Sequence, residues 1–111
     1  MPDQNYQGRE NRKHFRLIFP AERMPRIKIS NTAYAIIDMS QIGIRFYNPF
    51  NHRMPDDQFT AFVAFKDGEQ VKVNARVVRF EPLMVALVLM EGIPPERMLA
   101  EQTLLNQIQK N

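Results

Sequence analysis

From residue 26 to residue 90 the chain is a succession of short β-prone runs separated by turn residues, and no other feature narrows the fold so far. Residues 26–30 alternate charged and apolar side chains through Arg26, Ile27, Lys28 and Ile29, the period of a half-buried strand. Residues 33–38 and 44–47 are two further runs on either side of a Ser/Gln/Gly break, and they should pair. Residues 59–65 and 71–78 flank Asp67 and Gly68, a strong hairpin signal because both positions tolerate positive φ. Residues 84–90 carry little polar content, which predicts burial on both faces.

Pro94 and Pro95 then stop the sheet, and the pattern changes. The segment from about 94 to 110 has proline and Glu96 at its start and Lys110 at its end, as a helix dipole prefers. Met98, Leu105 and Ile108 share one face, with Leu104 beside them, so this amphipathic helix is suited to covering an open barrel end or serving a partner. Six antiparallel strands and one helix predict a mainly β fold, a six-stranded antiparallel β-barrel with a C-terminal α-helix. At 111 residues the chain suffices for one core and is too short for two ordinary domains. The expected division is a flexible basic segment over residues 1–13 and a barrel with its helix over residues 14–111.

Charge is unevenly distributed. Residues 1–30 hold seven Lys/Arg against three acids, while residues 31–111 hold eight against nine. The positive field is therefore concentrated in the first quarter, where it suits a compact anionic partner better than an extended nucleic-acid track. There is no cysteine, which excludes a disulfide framework and a thiolate zinc site. The N-terminus has no apolar signal region, and no stretch approaches the roughly 18 apolar residues of a membrane helix, so a cytoplasmic, non-membrane protein is expected.

Two constellations stand out against this background. Arg12 and Arg16 form an R-x-x-x-R spacing, which alone is weak in an arginine-rich segment. Asp38, Ser40 and Gly43 form D-x-S-x-x-G at the break between two expected strands, a much rarer coincidence. In this order, followed by strands and a C-terminal helix, the pair resembles the PilZ domain family over nearly the whole chain, from about Arg9 to Ile108. The resemblance implies a six-stranded barrel whose two motifs bind cyclic di-GMP, a bacterial guanine dinucleotide messenger. It puts Arg12 and Arg16 in the places of the motif arginines, with Lys13 as an additional cation, and Asp38, Ser40 and Gly43 in the second motif. It also implies an adaptor that signals through a downstream protein partner.

The residue types make chemical sense for that ligand. A planar guanidinium can donate to guanine O6 and N7 together, or to a phosphate, in a geometry that lysine does not match. On the opposite edge, guanine N1–H and N2–H₂ are donors, so the Asp38 carboxylate can accept from them and select guanine over adenine. Ser40 can add a hydrogen bond, and Gly43 lets backbone approach a ligand without a Cβ in the way. Arg9, Arg45, Arg79 and Phe80 are weaker candidates. For Arg45 and Arg79 ordinary surface charge is the simpler expectation, and for Phe80 core or rim packing.

His14 and His52 are too few and too poorly partnered to suggest metal or acid–base catalysis, and the chain has no P-loop and no nucleophile elbow. No enzymatic activity and no cofactor is expected. The rival reading is a small barrel binding RNA or single-stranded nucleic acid, which should interleave basic and aromatic residues on exposed strand faces. Phe59, Phe62 and Phe65 lie instead in an apolar run and are expected to be core.

Overall fold

In the computed structural model, residues 15–110 are described, with side chains as far as residue 107. The elements in chain order are β1 (Leu17–Ile18), a 3-10 turn (Ala21–Arg23), β2 (Arg26–Ile29), β3 (Thr32–Met39), β4 (Gly43–Tyr47), β5 (Phe59–Ala64), β6 (Gln70–Glu81), β7 (Met84–Glu91) and α1 (Pro95–Lys110). The expected basic segment over residues 1–13, with Arg9, Arg12 and Lys13, lies outside the described residues. So do His14 and the side chain of Ile108.

Every strand from β2 to β7 has an antiparallel neighbour on both sides, and pairing between β3 and β4 closes the ring. The expected six-stranded barrel is therefore present, with β1 as an addition that the sequence did not signal. Two antiparallel meanders compose the ring: β2, β3 and β4 form one, β5, β6 and β7 the other. Two long-range seams join them, β2 to β5 through Ile27 opposite Val63, and β4 to β7 through Ile44 opposite Leu87. Both seams put buried residues across from each other, and burying such side chains contributes roughly 1.5–3 kcal/mol each.

Local chemistry sets the turns. Ile29 pairs with Thr32, leaving a two-residue turn in which Ser30 adopts φ 57°. At the β5–β6 turn only Gly68 takes positive φ, at 96°, while the Phe65 N–H donates to Glu69 O and the Gly68 N–H to Phe65 O. Asp67 thus stays at negative φ, and its carboxylate instead accepts from the Glu69 N–H at 3.1 Å.

Period-two alternation decides the core. Ile27, Ile36, Met39, Phe46, Ala61, Val63, Val73, Ala75 and Val85 point inward and are wholly buried. In β5 the inward parity belongs to Ala61 and Val63, continued by Phe65 beyond the strand, so Phe62 is turned outward and exposed. The expectation that all three phenylalanines are core fails at Phe62 because an apolar run hides its own alternation. Similarly, Val85, Ala86, Leu87 and Leu89 of β7 are buried, but Met90 is not. Helix α1 seats Met98 and Leu105 in the barrel core and so acts as a lid.

Besides an extra residue at Met90 in β7, where Asn74 pairs with Glu91 and Ala75 with Leu89, two β-bulges break the alternation. Ile36 pairs with Phe46 and Asp38 with Arg45, so Ile37 is an extra residue in β3. Val77 pairs with Leu87 and Arg79 with Ala86, so Val78 is an extra residue in β6. Such bulges re-aim the side chains that follow them.

Candidate ligand site

Strand register explains how residues 22 apart in sequence meet. Along one edge of β3 the chain runs twice in line: β2 pairs with its first half, then, across the 3-10 turn, Leu17 pairs with Met39 and Ile18 with Asp38. Bonds from the Ile36 N–H to Pro25 O and from the Phe19 N–H to Ile37 O bridge the interruption. This pairing carries Arg16 alongside the end of β3, where its Nη1 donates to Asp38 Oδ1 at 2.6 Å.

The bulge at Ile37 places Asp38. Ile36 points into the barrel, and without the extra residue Asp38, two positions on, would follow it; with it, Asp38 faces Arg45 on the outer side while Met39 turns inward opposite Ile44. Arg45 Nε donates to Oδ1 at 3.1 Å and to Oδ2 at 2.9 Å, and its Nη2 also donates to Oδ2. These bonds hold the Arg45 guanidinium above its ordinary pKa, with the hydrogen bond it donates to Asp38 the largest cause. Asp38 is fully buried while the arginines over it are 45% and 41% exposed, so a covered carboxylate carries two cations that face solvent.

This corrects the expectation for Arg45. It is not simply surface charge but the principal partner of Asp38. Nor is the carboxylate bare, since three arginine N–H groups, one of them shared between its two oxygens, already donate to it. The sequence held no signal for the clamp, because two strand residues seven apart face each other only once turn length and bulge are known.

Ser40 and Gly43 build the turn. The Ser40 N–H donates to Gly43 O at 2.8 Å, and the buried Ser40 Oγ accepts from the Ile42 N–H at 3.3 Å. A Cβ on Gly43 would lie 3.4 Å from Ser40 Oγ and 3.5 Å from Arg16 Nη2, so the glycine leaves open the space directly beneath the arginine. Gly92, which sequence reasoning passed over, supports this turn from behind. A Cβ there would stand 2.0 Å from Gln41 O, and the flanking Leu89 and Ile93 amides donate to Ile42 O and Gln41 O.

Arg16, Asp38, Ser40 and Gly43 are thus brought together, with Arg45 added. Arg79 is exposed and meets Glu81 at 3.3 Å. Phe80 is half-exposed and lines a groove of about 350 Å³ with Arg53, Met54, Pro55, Asp56 and Val77, none of them motif residues. Among the described residues no helix is long and apolar enough to cross a membrane.

The chain matches the family model described as PilZ domain over residues 10–108. A crystal structure of the uncharacterized Legionella protein Lpg0364 is similar in fold, with a TM-score of 0.65 at 16% identity, covering 88% of this chain and 100% of that one. None of the curated proteins matches in sequence.

Proposed function

The chain belongs to the PilZ domain family, a family of cyclic di-GMP-binding adaptors, and on that premise we propose that it is a cytoplasmic cyclic di-GMP receptor that acts through a protein partner. The observation that carries this reading is the convergence of Arg16 on Asp38, Ser40 and Gly43 from 22 residues away.

Because Asp38 is already occupied, recognition proceeds by exchange. A guanine N–H, from N1 or from the N2 amino group, takes the acceptor position on Oδ1 that Arg16 releases, and Arg45 keeps its hold on the carboxylate. Arg16 then turns its exposed guanidinium onto a guanine O6/N7 edge or a phosphate, where bidentate contacts are strong. Arg12 and Lys13 supply further cations, and binding fixes the N-terminal segment across the barrel, forming a new surface for the partner.

Calorimetry with cyclic di-GMP, cyclic di-AMP and an RNA oligomer at moderate salt tests the ligand. Cyclic di-GMP should bind tightest by a wide margin. Equal binding of both dinucleotides would leave only phosphate attraction, and preference for the oligomer would favour the nucleic-acid reading. Amide exchange tests the switch, with protection expected to rise between about Arg9 and Leu17 when the ligand is added.

A further inference from the structure

On the outer face of the barrel, the register aligns side chains in rows that extend well past the two motifs. Asp38 stands opposite Arg45, Arg45 opposite Ala86, and Ala86 opposite Arg79. In the adjoining row Gly43 stands opposite Val88, and Val88 opposite Arg76. Opposed residues of an antiparallel pair project to the same face. The surface between the motif arginine and β6 is therefore a floor of Gly43, Ala86 and Val88, with the Arg45 side chain along one side of it and two arginines beyond it.

The second bulge makes that arrangement. Positions 76 and 79 are three apart, and in a regular strand they would point to opposite faces. The extra residue at Val78 turns both outward, as the extra residue at Ile37 turns Asp38 outward on the other side. Two bulges thus bracket one floor and aim charged side chains at it. Neighbouring strands lie about 4.8 Å apart, so β4 and β6 face each other over about 10 Å, a span that suits a flat dinucleotide lying across the strands.

We propose that Arg76 and Arg79 form a second wall of the ligand site, holding the phosphodiester of the dinucleotide that lies farther from Arg16, and that Ala86 is small so that the ligand lies flat. This rests on the cyclic di-GMP reading above. Arg79 gives up its exposed contact with Glu81 at little cost, since surface pairs of this kind contribute little.

Calorimetry with cyclic di-GMP on the wild type, the Arg76→Ala/Arg79→Ala double variant, Ala86→Leu and Lys28→Ala tests the wall. Lys28 is a cation on the outer face of β2, away from the floor, and serves as the control for net charge. The double variant and Ala86→Leu should each weaken binding on the order of tenfold or more, with Lys28→Ala close to wild type. Should Ala86→Leu not fold, the double variant decides, because both arginines are exposed. Tight wild-type binding that the double variant retains would overturn the second wall and leave the receptor reading standing. Losses in Lys28→Ala as large as in the double variant would overturn it as well, in favour of general charge. No binding by the wild type would overturn both.

Discussion

The two arginines on Asp38 are unequal. Arg16 offers one bond from an exposed position, whereas Arg45 grips both carboxylate oxygens. Arg16→Ala should therefore cost on the order of 2–4 kcal/mol in cyclic di-GMP affinity while leaving urea unfolding nearly unchanged. Arg45→Ala should lower stability by about 1–3 kcal/mol, because it strips most of the donors from a buried charge. The reverse order in an unfolding titration would show that Arg16 is the structural partner. The spacing of Asp38, Ser40 and Gly43 made the second motif legible from sequence, and order and distance made Arg16 legible as its partner. The clamp by Arg45 was not, since nothing in Ala35, Ile36 and Ile37 announces the bulge that creates it.

Between elements, the contacts that matter are polar and mostly hidden. Arg97 on α1 is buried and donates to Glu101 at 2.6 Å, to Asp67 at 2.8 Å and to Glu69, with its guanidinium 4.3 Å from the Phe65 ring centroid. Arg23 of the 3-10 turn reaches the same Glu101 at 3.2 Å. Burial works against the charge on Arg97, but the bonds to Glu69, Asp67 and Glu101 outweigh it and raise its pKa. Glu101→Ala should cost about 3–5 kcal/mol in thermal or urea unfolding, since it removes the acceptor of the largely buried Arg23 and the buried one of the three carboxylates that hold Arg97. Asp67 titrates below its ordinary value, chiefly through the Arg97 bond and then the Glu69 amide. Its contribution is therefore complete above the ordinary aspartate range and is lost as pH falls below about 3.8 toward its folded-state value. Asp67→Asn should flatten that acid limb of the stability curve. Gly92→Ala should destabilise by about 1–3 kcal/mol, because the new Cβ overlaps backbone, and should weaken the ligand by disturbing residues 40–42. Strand positions and the helix were readable from period and turn residues. The helix anchor was not, because arginine and glutamate four apart ordinarily signify a solvated face.

For the molecule as a whole, number and type of elements follow from the chain, but closure is a long-range matter. The β4–β7 and β2–β5 pairings join residues some tens of positions apart, and no local pattern marks either. A ligand that binds the folded chain and not the unfolded one should stabilise the fold by about 2.7 kcal/mol at a hundredfold excess over Kd, read as a rise in Tm with concentration. The two-leaf plan also makes the connection between β4 and β5, where residues 49–53 are exposed, a natural cleavage point. Severed there, neither piece could close a barrel by itself, since each would lack the strands that the β2–β5 and β4–β7 seams supply. Reunion would become a bimolecular event, and its specificity would rest on the two seams that now close the ring within one chain.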